Sequence, residues 1–361
     1  MGGTEDLSKS PGAPVLVIGS GLHKWLRDKR PDDALSSWTA LLREVAEALA
    51  VPCPANANPS LTLAWEELLL RMIRDGYALS SRKSDKRNWI APQAKSVSKV
   101  EGDAMRAVKV VLERAQRQPI HELERSRLFR GLPVSDVVSL NFDLAWSEPT
   151  QFTNRYRSQA IASEAATRNI REYNRLHSHL SLREGPRVWF PNGSVLPGGP
   201  KIRLGLRDFG LQMESFARAF AAFKAWETQV MGGANQATTP EKHAELLRYL
   251  EAGHGDRFAA ADQWVTRFML RPVYILGVGL SLDEQGLWWL LVQRARNLAR
   301  IHAPSQARIL LRRGSKEQIE MWNRDPSIVK PIWCDDWDRG WEQVTDMIRN
   351  GEPPVLTKAA Y

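Results

Sequence analysis

Two rhythms of hydrophobic residues alternate along this chain. One is a short, unbroken apolar run that ends at glycine or at small polar residues. Val15-Leu16-Val17-Ile18 runs into Gly19-Ser20-Gly21, and Val273-Tyr274-Ile275-Leu276 runs into Gly277-Val278-Gly279. Val137-Val138-Ser139-Leu140 runs into Asn141-Phe142-Asp143, and Arg187-Val188-Trp189-Phe190 into Pro191-Asn192-Gly193-Ser194. Such runs predict strands buried on both faces. Lys201–Gly205, Arg308–Leu311 and Val329–Ile332 predict further short strands.

The second rhythm places apolar side chains three or four positions apart. Trp38, Leu41, Leu42, Val45 and Leu49 follow it, with Ser36 or Ser37 placed to cap the helix they predict. Similar patterns predict helices over Leu61–Tyr77, Ala104–Arg117, Ile120–Phe129, Leu211–Trp226, Phe258–Phe268 and Asp283–Arg300. Residues 52–60, 80–98 and 230–239 read as loops, and 150–182 is polar and helix-compatible. The alternation predicts an α/β domain with a mostly parallel sheet and helices on both faces. Helical insertions at about 52–130 and 150–183 would form a smaller subdomain. Residues 1–13 read as a flexible leader, 14–350 as the domain and 351–361 as a tail.

Composition narrows the function classes. At 361 residues, 43% hydrophobic and 25% charged, the chain is globular. No apolar run approaches the roughly 18 residues a membrane span needs. Met1–Pro14 lacks a signal-peptide pattern, so a cytoplasmic location is expected. Cys53 and Cys334 are the only cysteines, too few for a four-cysteine zinc site. No metal is expected. The net charge of +9 admits a nucleic acid, an anionic cofactor or an acidic protein as partner. The basic residues are scattered, however, and no base-reading motif supports direct nucleic-acid binding. Most of the 14 tryptophans are expected in the core. Trp288 and Trp289 are adjacent in a helix and must face different sides. Trp322, Trp333, Trp337 and Trp341 read as a packed lid on the last strands.

The candidate chemistry sits at strand ends, where open α/β sheets bind ligands. Glycine there lets the backbone bend tightly and approach a phosphate. Each turn alone is only G-x-G and lacks the third glycine of a dinucleotide fingerprint. Two such turns, each directly after a buried strand, could line one crevice. Gly19, Ser20, Gly21, the adjacent His23, Gly277 and Gly279 are therefore candidate contacts. Ser281 either caps the next helix or, with Asp283, hydrogen-bonds ribose hydroxyls. Asn141 and Asp143 stand two positions apart at a strand tip and face the same side. They either form an Asx turn or supply the polar groups of a site.

Taken in order, Val17–Leu22, Ser139–Asp143, Trp189–Ser194 and Leu276–Glu284 resemble the bacterial sirtuin-like domain of anti-phage defence proteins. That family carries a Gly-Ala-Gly or Gly-Asn-Gly turn, a Thr-Asn-Tyr-Asp-like strand end, a His-Gly pair after a strand, and Gly-x-Ser-x-x-Asp. Leu204–Phe209 resembles the segment after the His-Gly pair, with Phe209 in place of a tyrosine. The resemblance spans residues 15–285. It implies a Rossmann-like fold that binds NAD as substrate and hydrolyses it to ADP-ribose and nicotinamide. The implied role is abortive infection, in which NAD is drained from infected cells. A chain of this length leaves little room for its own sensor. A separately encoded defence protein as sensor or activator is expected, as is a homo- or hetero-oligomer. Protein deacylation is disfavoured, because classical sirtuins carry a four-cysteine zinc module.

Cleaving the nicotinamide–ribose bond passes through an oxocarbenium-like state. By the resemblance, Asn141 would hold the ribose and water, and Asp143 would fix the loop or place negative charge near the cation. The family's catalytic histidine falls at Asn192. An amide cannot take up a proton near neutral pH. Three readings follow. The chain binds NAD without cleaving it; or His23 or the His177/His179 pair replaces the base; or a trapping substitution stands where the natural residue is histidine.

Overall fold

The computed structural model describes residues 12–22, 25, 34, 37–54, 60–81, 94–116, 132–142, 151–153, 176, 179–181, 186–195, 201–231, 240–252, 263–279, 284–301, 303, 306–314 and 327–350. The strands are β1 (Val15–Ile18), β2 (Asp136–Ser139), β3 (Gln151–Thr153), β4 (His179–Ser181), β5 (Arg187–Trp189), β6 (Val273–Leu276), β7 (Ala307–Arg312) and β8 (Lys330–Cys334). They form one sheet in the order β3-β4-β5-β2-β1-β6-β7-β8. From β5 to β8 every neighbouring pair is parallel, whereas β4 adds to β5, and β3 to β4, in the antiparallel sense. The chain builds outward from β1 through β2 to β5, then returns to the other side for β6, β7 and β8. The parallel part thus has the doubly wound, Rossmann-like order, and the reversal lies between β1 and β6.

Helices cover both faces. In chain order they are α1 (Trp38–Ala48), α2 (Leu61–Ser81), α3 (Ala94–Gln116), α4 (Leu206–Val230), α5 (Pro240–Glu251), α6 (Trp264–Leu270), α7 (Gln285–Ala299) and α8 (Trp337–Asn350). Leu16 and Ile18 of β1 pack with α1, α2, α3 and α8. Val15 and Val17 point the other way, into a core shared with α4, α5, α6 and α7. Alternate residues serving opposite cores explain why the central strands are apolar throughout. Of the two candidate caps, Ser36 and Ser37, it is Ser37 that starts α1, its Oγ accepting the Ala40 N–H at 3.1 Å. The adjacent Trp288 and Trp289 are both half-buried, and both pack against the second core. Among the described residues no helix is long and apolar enough to cross a membrane.

Three expectations need correction. The polar stretch 150–182 holds β3 and β4, which extend one edge of the sheet. Strands of three residues at a sheet edge carry too little apolar patterning to announce themselves. Lys201–Gly205 is not a strand, although Ile202, Arg203 and Leu204 are buried. Its backbone is bonded to the β5 exit instead, through Arg203 N–H to Asn192 O at 2.9 Å. Of the expected tryptophan lid only Trp341 is buried among the described residues; Trp337 is exposed and Trp333 half-buried, and the cover is the helix α8 through Trp341, Val344 and Ile348. Residues 1–11, the expected helix Ile120–Phe129, Trp322 and the tail from 351 lie outside the described residues.

The N-terminal ends of the strands are held by buried charge. Asp136 opens β2 and is fully buried. Arg187, its partner on β5, grips it with Nε at 2.9 Å and Nη2 at 3.3 Å. Trp189 Nε1 donates to it at 3.0 Å, and Arg267 Nε stands 3.7 Å away. Arg271 bridges Glu251 at 2.9 Å and the Ala13 carbonyl at 2.7 Å. Burial alone would raise the Asp136 pKa, but Arg187, Arg267 and Arg271 outweigh it and hold the carboxyl well below the usual range.

Asp136→Asn should therefore lower stability by about 3–5 kcal/mol, because it leaves buried arginines without their counter-charge. Urea unfolding at pH 7 checks this. A depressed folded-state pKa contributes stability above the ordinary aspartate range and loses it as pH falls. The wild-type chain should weaken as pH drops below about 4, and the variant should lack that part of the acid slope.

Candidate functional site

The exits of β1 and β6 meet at the reversal point. Gly19 N–H donates to Leu276 O at 3.0 Å, Gly21 N–H to Gly277 O at 2.9 Å, and Leu22 N–H to Gly19 O at 3.1 Å. A Cβ on Gly19 would stand 2.5 Å from Gly277 O, and one on Gly21 would stand 2.7 Å from Gly277 Cα. A Cβ on Gly277 would lie 2.6 Å from Leu22 N, and Gly277 has φ +65°. These glycines are spent first on each other: they let two backbone turns touch. The amide and hydroxyl of Ser20, half-buried in the first turn, have no partner among the described residues. Gly279 is exposed, with open space where a Cβ would go.

Asn141 stands at the β2 exit, 6% exposed. Its Nδ2 donates to Gly19 O at 3.1 Å, across to the first glycine turn. That is a tie between strand ends, not an Asx turn on its own backbone. With Nδ2 committed, Oδ1 is an acceptor with no partner among the described residues. The next residue, Phe142, packs on Trp38 at 5.2 Å between ring centres, and its carbonyl accepts Val195 N–H at 2.9 Å. Trp38 in turn lies 6.1 Å from Phe209 at the start of α4.

Asn192, in the turn after β5, is 2% exposed. Its Nδ2 donates to Leu140 O at 3.0 Å, and its Oδ1 accepts Gln212 Nε2 at 2.7 Å. Gln212, on α4, also reaches Pro191 O at 3.4 Å. Gly193 has φ +94°, and a Cβ there would sit 2.3 Å from Lys201 O. The segment 201–204 therefore lies directly against this turn. Arg203 is buried there, with Nη1 on Asp208 O at 3.1 Å. Burial lowers its pKa to about 10 although Asp208 opposes the shift, so it stays cationic at neutral pH. Asn192, Gln212 and Glu284 share a small cavity with Leu140, Phe216 and Trp264. Its volume is about 10 Å³, no more than one water, so it does not hold a nucleotide.

Asn141, Gly19, Ser20, Gly21, Gly277, Gly279 and Asn192 all lie at the C-terminal ends of the strands. His179, paired with Trp189 at the end of β5, lies on the same edge but away from the reversal point. It opens β4, its ring 4.6 Å from Trp189, and β5 and β2 stand between it and β1. His23, Asp143, His177, Ser281 and Asp283 lie outside the described residues. Among the described residues no three His, Cys, Asp or Glu side chains are grouped to hold a metal.

Sequence reasoning missed Gln212, Arg203 and Glu66. Gln212 precedes Phe216 by one helical turn and falls in the buried stripe with Ala219 and Phe223, so a polar residue in phase with a core face was its signal. Glu66 accepts Leu206 N–H at 2.8 Å and satisfies the start of α4, whose cap position is a glycine. That contact spans 140 residues and left no local trace. No protein-family model matches this chain, and no curated protein sequence matches it.

Two glycine substitutions separate packing from ligand contact. Gly277→Ala should cost about 1–3 kcal/mol or more, from the left-handed backbone and the clash with Leu22. Gly279→Ala should change stability by no more than about 0.5 kcal/mol. Thermal unfolding of the two variants checks the contrast.

Proposed function

We propose that this chain binds NAD across the reversal point between β1 and β6 and acts as a sirtuin-like effector of anti-phage defence. Asn141 carries the reading. A buried amide whose donor is tied to the glycine turn, and whose oxygen remains unpaired among the described residues, suits a ribose hydroxyl. Ser20 offers an amide and a hydroxyl to a phosphate oxygen on the same edge. His23, Asp143, Ser281 and Asp283 adjoin these groups in sequence and belong to the proposed contacts, with Gly279 open beside them. The two glycine turns account for each other by packing, so they support the place of the crevice more than its occupant.

The reaction that goes with this reading is hydrolysis of NAD to ADP-ribose and nicotinamide. The chain would hold the ribose while positive charge develops on it. Hydrolysis in the cytoplasm would arrest an infected cell. A separately encoded sensor or activator, and assembly into a homo- or hetero-oligomer, would restrain it until then.

A second reading is favoured by Asn192. Its amide is engaged on both sides, so position 192 supplies no base. Neither histidine among the described residues, His179 or His243, stands at the reversal point; His243 bonds Leu270 O at 3.0 Å. On this reading the chain is an NAD- or ADP-ribose-binding subunit without turnover.

Calorimetry with NAD and ADP-ribose tests the binding. Asn141→Ala should weaken it about tenfold, the worth of one hydrogen bond of about 1.5 kcal/mol. Absence of binding to either nucleotide would overturn both readings. Nicotinamide release, with and without the product of the adjacent gene, separates them: release supports the hydrolase, and binding without release supports the silent subunit.

A further inference from the structure

We infer that Asn192 and Gln212 act as a pair that positions Asn141, so that Gln212 is a further functional residue and position 192 is not a vacant base. The inference rests on the reading of Asn141 as the ribose-holding residue.

Leu140 O can only accept, so the Asn192 group facing it must be Nδ2. Asn192 Oδ1 is then turned to Gln212, which must meet it with Nε2. Pro191 O, also an acceptor only, lies on the same side of Gln212 and favours the same orientation. Neither amide can flip without setting like against like. Both side chains are at least 95% buried, so water does not stand in for a lost partner.

The held carbonyl belongs to the residue just before Asn141. Fixing Leu140 O fixes the plane of the Leu140–Asn141 peptide. Leu140 N–H is fixed as well, on Ile18 O at 2.9 Å. The direction in which the Asn141 side chain leaves the backbone is thereby set, and its Nδ2 completes the line at Gly19 O. One chain of polar groups thus runs from α4 through Gln212, Asn192 and Asn141 to the β1 turn. A histidine at 192 would face the same two groups. One ring nitrogen would donate to Leu140 O and the other would accept from Gln212, leaving neither for the crevice.

The test uses the full chain. Gln212→Met keeps the length and removes the donor. It should unfold within a few degrees of wild type and weaken NAD binding about tenfold. The double variant with Asn141→Ala should bind no more weakly than Asn141→Ala alone, since both changes act on one contact. Additive losses, or unchanged binding in Gln212→Met, would overturn the proposal. Asn192→His should release no more nicotinamide than wild type, and a gain that titrates near neutral pH would overturn it too. Side-chain amide exchange in ¹⁵N-asparagine-labelled protein needs no nucleotide. The NH₂ groups of Asn192 and Asn141 should both be protected in wild type and both lose protection in Gln212→Met. Loss at Asn192 alone counts against the pair even if NAD proves not to be the ligand.

Discussion

The whole upper edge of this sheet depends on two backbone turns touching. β1 and β6 are neighbours, and each leaves the sheet through glycine. Gly19, Gly21 and Gly277 have no room for a Cβ because each lies against the other turn. That contact fixes the two strand exits against each other at the reversal point. It also gives Asn141 a fixed carbonyl, Gly19 O, on which to rest its amide. The order β5-β2-β1-β6-β7-β8 then follows as the arrangement that keeps these two exits adjacent.

The two ends of the strands use polar groups in opposite ways. The N-terminal ends bury full charges, with Asp136 among Arg187, Arg267 and Arg271. The C-terminal ends described here rely mainly on neutral amides, with Asn141, Asn192 and Gln212 linked to backbone carbonyls. Buried ion pairs are costly to disturb and make a rigid base. Amides are weaker and directional: each has one donor side and one acceptor side. An edge built from them can leave a single oriented oxygen without a partner among the described residues, as at Asn141 Oδ1.

Much of the scaffold was legible because its signals are local. Unbroken apolar runs announced β1, β2, β5 and β6, and Ser37 announced the start of α1. The edge strands β3 and β4 gave no such sign, being three residues each. The glycine turns were located correctly, but their steric use on one another is a property of two segments some 260 residues apart in the chain. The same limit applies to the site. Asn141 was readable as a polar tip on a buried strand, whereas Gln212 was missed, although a polar residue in an apolar stripe was its signal. That Asn192 bonds both Leu140 and Gln212 could not be read, since no pattern in one segment encodes a partner in another.

Trp25 follows the first glycine turn, and its ring stacks on Trp341 of α8 at 4.8 Å while its Nε1 donates to Asp338. The two ends of that hydrogen bond are 313 residues apart. β1 itself must wait for β6, its neighbour in the sheet. A ribosome releases the chain from its N-terminus, so β1 can pair with β2 well before β6 emerges to take its other side. The β6 side of Val15–Ile18 therefore stays open until some 250 further residues have been made, and this topology of distant contacts folds slowly. The meeting of the two glycine turns is thus a late event, since Gly277 follows Gly19 by some 260 residues.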